Sequence, residues 1–127
     1  MILFDTNILI EIYRNNFLII DIVRGIGQAN IAISDVTCAE LLYGARNKKE
    51  LQTIIRDLKK LEIVHIHADI SIKSVELIGQ YALSHKLSLP DALIAATAIC
   101  ENIPLYTLNT KDFIFIEGIN LFAPEPR

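Results

Sequence analysis

Asp5, Glu40, Asp91 and Asp112 are the residues whose types and settings can do chemistry together. Clustered carboxylates repel one another, and each resists ionisation unless something positive stands by. No lysine or arginine adjoins Asp5, Glu40 or Asp91, although Lys111 adjoins Asp112. A hard divalent cation with oxygen ligands, Mg²⁺ or Mn²⁺, meets that need. Such an ion polarises a phosphoryl oxygen and lowers the pKa of an attacking water. Taken one at a time, an aspartate at a helix start is more often a cap or a dipole partner. Glu40 escapes that reading more easily. Val36, Thr37, Tyr43 and Gly44 share its face at helical spacing, so it projects from a largely uncharged surface and wants a partner.

The elements that must bring these acids together are legible as an alternation of short apolar runs with helical patterns. Ile2–Phe4 is wholly apolar and suits a strand buried on both faces. Asn7 can cap a helix through about Arg14, and Phe17–Gly25 reads as a second helix stopped by Gly25 and Gly27. Asn30–Ile33 is a second strand, after which Ser34 or Asp35 caps a helix carrying Leu41, Leu42 and Ala45. Lys48–Leu61 is a polar-faced helix, Ile63–His67 a third strand, and Ile70–Ser84 a long amphipathic helix. Pro90 opens the apolar helix Asp91–Cys100, whose Ala92, Ala95, Ala96 and Ala98 allow close approach to a sheet. Leu105–Leu108 and Ile119–Phe122 read as the last two strands, and Pro124 and Pro126 mark a tail.

Strands alternating with helices imply parallel pairing and helices on both faces, an α/β/α sandwich about a mostly parallel sheet of about five strands. In such sheets functional groups gather beyond the carboxyl ends of the strands. Asp5 and Asp112 follow strands directly, Glu40 lies within two turns of one, and Asp91 opens a helix at the same rim. The geometry therefore predicts one acidic cluster.

With 127 residues the chain is expected to be one domain, residues 1–127. Its 52% hydrophobic and 21% charged content excludes disorder. Ala92–Cys100 is far short of the ~20 residues a bilayer needs, and the chain meets Asp5 too early for a signal peptide, so the expected location is cytoplasmic. Cys38 and Cys100 stand in no metal-ligand spacing and are expected to pack as small hydrophobes. Twelve basic against fifteen acidic residues give a net charge of −3, which by itself counts against nucleic acid. It counts less where bound cations supply the positive charge facing phosphate.

The segments Ile2-Leu3-Phe4-Asp5-Thr6-Asn7, Thr37-Cys38-Ala39-Glu40-Leu41-Leu42-Tyr43-Gly44, Asp91-Ala92-Leu93-Ile94-Ala95-Ala96-Thr97-Ala98 and Leu105-Tyr106-Thr107-Leu108-Asn109-Thr110-Lys111-Asp112-Phe113 occur in this order. Together they resemble a PIN domain of the VapC type, the toxin of VapBC toxin–antitoxin pairs, over essentially the whole chain. The resemblance implies a ribonuclease using Mg²⁺ or Mn²⁺, with the family's acids carried onto Asp5, Glu40 and Asp91. Hydrolysis by metal-activated water would leave a 5′-phosphate and a 3′-hydroxyl. Thr6 matches the hydroxyl residue beside the first acid, and Thr107 the strand-end hydroxyl. Relatives often carry an acid where this chain has Asn109. Asp112, three residues on, is taken as the fourth member, with Asn109 as a neutral ligand or water-orienting group. The resemblance also implies a VapB-type antitoxin, an apolar groove near Leu41, Leu42 and Tyr43 to receive it, and a homodimer.

Other features carry less. His65 and His67 share one side of an expected edge strand away from the acids, and a structural reading suits them. Arg46, Lys48, Lys49, Arg56, Lys59 and Lys60 form the basic concentration of the chain, a solvated helix face or a guide for RNA, with Arg46 the best candidate for the second role. A receiver-type phosphoacceptor domain could cast Asp69, Thr107 and Lys111, but Asp5 lacks an adjacent acid and Glu40 and Asp91 would be idle. A phosphatase with an aspartate nucleophile lacks its second Asp after Asp5. A PIN fold that only binds RNA or protein sits poorly with three acids in place.

Overall fold

A computed structural model describes residues 1–125; Pro126, part of the expected tail, lies outside the described residues. The chain runs β1 (Ile2–Phe4), α1 (Thr6–Tyr13), α2 (Phe17–Ile26), β2 (Ile31–Ser34), α3 (Asp35–Tyr43), α4 (Lys48–Leu58), β3 (Glu62–Val64), α5 (Ala68–His85), α6 (Leu89–Glu101) and β4 (Leu105–Tyr106). The sheet order is β3-β2-β1-β4 and every pairing is parallel. The chain first builds outward from β1 to β2 and β3, then returns to place β4 on the other side of β1. That reversal opens a crevice between the carboxyl ends of β1 and β4, where open α/β sheets present their ligand sites.

Alternation along each strand makes the three layers. Leu3, Ala32 and Leu105 face a core shared with Ile70 and Leu77 of α5 and the buried side of α6. Phe4, Ile31, Ile33 and Tyr106 face the opposite core, filled by Ile8, Leu9, Ile19, Leu41, Ile54 and Leu58. Two-residue periodicity is what sends Leu3 and Phe4 to opposite faces. On α6, Ala92, Ala95, Ala96 and Ala98 are all essentially inaccessible, so small side chains do let this helix lie close to the sheet.

The fifth expected strand contracts to one point. Leu121 makes an isolated parallel bridge to Leu105, supported by Leu105 N–H donating to Asn120 O and Phe122 N–H donating to Leu105 O, both at 2.8 Å. Gly118, at φ +88°, makes the reversal that delivers this segment to the sheet, a left-handed conformation that suits a residue without Cβ. Helix starts also shift from their expected places. Asp5, rather than Asn7, caps α1, its carboxylate accepting from Thr6 N–H at 2.8 Å. Ser34 caps α3 and Ser88 caps α6. Among the described residues no helix is long and apolar enough to cross a membrane.

Candidate functional site

The crevice is floored by Asp5, only 7% exposed, at the end of β1. Its carboxylate is fixed from several directions. Oδ1 accepts from Thr6 N–H, while Oδ2 accepts from Thr107 Oγ1 at 2.7 Å and from Asn7 Nδ2 at 3.3 Å. Asn7 also reaches across to β4's end: its Oδ1 accepts from Leu108 N–H at 3.2 Å, and its Nδ2 lies 3.3 Å from Thr107 Oγ1. Asn109 N–H donates to the same Thr107 oxygen at 3.1 Å. Parallel pairing of β1 with β4, Phe4 opposite Tyr106, is what sets Asp5 beside Thr107.

Glu40 arrives from α3. Ser34 ends β2 and caps α3 through Thr37 N–H, which sets the helix phase and brings Thr37 and Glu40 to face α1. Thr6 Oγ1 lies 2.7 Å from Glu40 Oε1 and 3.1 Å from Thr37 Oγ1. One hydroxyl carries one proton, and the carboxylate can only accept. Thr6 therefore donates to Glu40 and accepts from the fully buried Thr37, a short relay ending on the carboxylate.

Asp91 sits in the first turn of α6, where Ser88 caps its N–H. Its carboxyl is pushed up to about 6, first by burial and then by the charges of Asp5 and Asp112, with Glu40 adding less; Ser88 opposes the rise. Burial likewise raises Asp5, against the lowering bonds from Thr107 and Thr6, with repulsion from Glu40 and Asp112 adding to the rise. Asp112 ends a short 3-10 turn, Thr110–Asp112, after β4. Mutual repulsion thus links all four sequence-predicted acids in one electrostatic neighbourhood.

Among the described residues no ion pair neutralises them. The ion pairs among the described residues engage Glu11, Glu50, Asp57, Asp35, Glu101 and Glu76, none of the four. Among the described residues no three His, Cys, Asp or Glu side chains are gathered tightly enough to enclose an ion as they stand. The donor chemistry nonetheless suits one. All four groups offer hard oxygen, and a carboxylate has roughly four acceptor sites. Asp5 commits three to protein donors and Glu40 one. In donor chemistry, though not in a closed cage, the four carboxylates suit a hard cation such as Mg²⁺ or Mn²⁺.

The remaining candidates divide. Thr6 and Thr107 bond directly to the acids. Asn109 is exposed, with only its backbone engaged, whereas Asp112 reaches the cluster electrostatically. Arg46 does not turn to Glu40: just ahead of the Asn47 cap of α4, its Nε pairs with Glu50 of the first turn at 3.2 Å. Asn7 and Thr37 are the residues that sequence reasoning missed. The sequence signal for Asn7 was its place two residues after Asp5, and Thr37 lies one turn before Glu40. His65 bonds Asp35 at 2.7 Å and His67 lies 3.2 Å from Glu101, both away from the acids. Asp69, the receiver-type candidate, is exposed on α5 and does not figure among the charges acting on Asp5 or Asp91. Cys38 packs against the core as expected, but Cys100 is exposed. Leu41 is buried and lines a groove, Leu42 is partly buried, and Tyr43 is 94% exposed.

A sequence profile of the PIN domain matches residues 2–117. Over 121 residues the chain is 33% identical to ribonuclease VapC10 of Mycobacterium tuberculosis, a match covering 94% of this chain and 90% of that protein. Its fold superposes with a TM-score of 0.80 on a chain of a toxin–antitoxin complex from Klebsiella pneumoniae, 36% identical and covering 94% and 95% of the two chains. A chain of VapBC2 from Rickettsia felis, solved bound to a DNA fragment from its promoter, gives a TM-score of 0.81 at 32% identity, covering 96% and 98%.

Proposed function

The chain belongs to the PIN domain family, alongside VapC ribonucleases, and from that membership we propose that it is an endoribonuclease toxin of a type II toxin–antitoxin pair. Asp5, Glu40, Asp91 and Asp112 form the proposed active site, with Mg²⁺ or Mn²⁺ as cofactor and a VapB-type antitoxin as partner. One observation carries the reading of the site: four acids from four separate parts of the chain act on one another electrostatically, none of them in an ion pair among the described residues, and burial together with that repulsion pushes Asp91 up to about 6. Structural ion-pair networks do not leave carboxylates unpaired in this way, whereas strongly perturbed acids in a crevice are what functional sites show.

When bound, Mg²⁺ or Mn²⁺ supplies Lewis-acid stabilisation of the phosphoryl group and lowers the pKa of water. The chain's own residues do the positioning. Thr107, Asn7 and Thr6 N–H hold the Asp5 carboxylate in one orientation, so its ligand direction is set before substrate arrives. The Thr37–Thr6 relay steadies Glu40, which is otherwise an exposed side chain with rotamer freedom to lose. Asp91 and Asp112 complete the acidic wall. Water adds to phosphorus and the 3′ oxygen leaves, so the products carry a 5′-phosphate and a 3′-hydroxyl.

The test is cleavage of total RNA by antitoxin-free protein with Mn²⁺, with EDTA, and with Asp91→Asn protein alongside. Discrete products that need the metal, disappear with Asp91→Asn and begin with a 5′-phosphate support the reading. A 2′,3′-cyclic phosphate end, or equal cleavage in EDTA, would overturn it.

A further inference from the structure

We propose that the groove between α1, α3 and α4 seats single-stranded RNA beside the cleaved bond, with Lys49 as the anchor for a flanking phosphate; this deepens the ribonuclease reading and rests on it. The groove has a volume of about 710 Å³, and Glu40, whose charge bears on Asp5 and Asp91, is one of its lining residues. Pockets of a few hundred to about 1,000 Å³ hold ligands of small-molecule size, which here means on the order of one or two nucleotides.

Its walls have two chemistries. Ile10, Leu41 and Ile54 supply apolar surface, with the Tyr13 ring beside them. Arg14, Arg46 and Lys49 supply positive charge. An apolar or aromatic floor for bases with cations tracking the backbone is how single strands are gripped without sequence readout. A duplex would bring phosphates to the groove but leave its bases stacked away from the floor.

The three cations are not equivalent. Arg14 lies 3.7 Å from Glu11, and Arg46 lies 3.2 Å from Glu50. Lys49 enters no ion pair among the described residues; its backbone carbonyl accepts from Thr53, which leaves the ammonium uncommitted. A phosphate approaching the groove therefore gains the full charge of Lys49, whereas Arg46 must first exchange its carboxylate partner. The pairing that seemed to favour Arg46 from its nearness to Glu40 in sequence instead shifts the role to Lys49, three residues later and on the first turn of α4.

The experiment measures steady-state cleavage of a labelled single-stranded RNA oligonucleotide spanning a site that the wild-type protein cuts. Wild type is compared with Lys49→Ala, Lys49→Glu and Lys59→Ala across a salt series. Lys59 closes the far end of α4, lines no part of the groove and serves as the control. The expected result is a KM raised about tenfold by Lys49→Ala and further by Lys49→Glu, with kcat within about twofold and the logarithmic salt dependence of KM shallower by about 0.7, one phosphate contact on a single strand. Lys59→Ala should match wild type. Unchanged KM and salt slope in both Lys49 variants, or loss of kcat without a change in KM, overturns the proposal. If the wild-type protein cuts no RNA, the ribonuclease reading fails first and the proposal falls with it.

Discussion

Thr107 Oγ1 donates to Asp5 Oδ2 at 2.7 Å, a buried bond between residues 102 positions apart that ties the ends of β1 and β4 together at the floor of the crevice. The bond lowers the cost of ionising Asp5, whose burial works the other way. Thr107→Val keeps the shape and removes the donor. We expect a stability loss of about 1–2 kcal/mol, seen in urea unfolding, and Mn²⁺ affinity weaker by about 10–100-fold, seen by calorimetry. A variant as stable as wild type that binds Mn²⁺ equally well would show the bond to be incidental.

Asp91 carries a second, independent prediction. Its folded carboxyl titrates near 6 against 3.8 when unperturbed, so the charged form is disfavoured by folding. The sign follows: in metal-free protein, stability is highest with Asp91 protonated and falls as pH rises from about 4 through about 6. Asp91→Asn should flatten this decline in the thermal midpoint between pH 5 and 7, and should raise the midpoint at pH 7 by a few degrees, on the order of 1 kcal/mol. A lower midpoint at pH 7 for the variant would contradict the repulsion.

Protons and metal should compete for the same oxygens. Mn²⁺ affinity, measured by titration in EDTA-stripped protein, should weaken as pH falls below about 6, since a ligand carboxylate must be ionised to bind. The rise in thermal midpoint on adding Mn²⁺ should therefore be larger at pH 7 than at pH 5. Equal rises at both values would remove Asp91 from the ligand set.

Asp112 and Asn109 make different predictions for the fourth position. Asp112 bears on both Asp5 and Asp91 electrostatically, while Asn109 is exposed and engages Thr107 through its backbone N–H. Turnover should drop by at least about tenfold in Asp112→Asn and change less in Asn109→Ala, the usual scale for losing one electrostatic contributor being about 10²–10³. The reverse ranking would hand the position to Asn109.

At the far edge of the sheet, Asp35 ties α3 to the end of β3. Burial alone would raise its carboxyl, but Ile66 N–H donating at 2.8 Å and His65 at 2.7 Å hold it below the usual carboxylate range. A depressed carboxylate stabilises the fold above its unfolded pKa, and that contribution is lost as pH falls through the lower folded value. Asp35→Asn should therefore be less stable than wild type at neutral pH, by about 1 kcal/mol in view of its exposure, and the gap should close below about pH 4. Denaturant midpoints across pH 3 to 7 measure this directly.

Most of the fold was legible in the chain because its signals are local. The apolar run Ile2–Phe4, the alternation of strand and helix patterns, and the alanines of α6 specify a parallel sheet covered on both faces. Parallel order in turn puts whatever follows β1 and β4 on one rim, and so Asp5, Glu40, Asp91 and Asp112 could be grouped before any contact was known. The fifth strand was less legible, because its pairing is confined to one bridge between Leu105 and Leu121 and apolar composition does not report how many ladder bonds a segment makes.

Residue types and their order determined the layers, the sheet direction and the identity of the acids, since these depend on periodicity and on charges that the sequence states outright. What only the tertiary structure decided was the partner of each polar group. Asn7 was readable as a helix cap, yet it spans from Asp5 to Leu108; Thr37 joins Thr6 and Glu40 into a relay; Arg46 turns from Glu40 to Glu50, leaving Lys49 uncommitted. Hydrogen bonds and ion pairs hold over about 3 Å, so such partners depend on the register of β1 against β4 and the phase of α3. Those are properties of packing over the whole chain, which no local stretch of sequence contains.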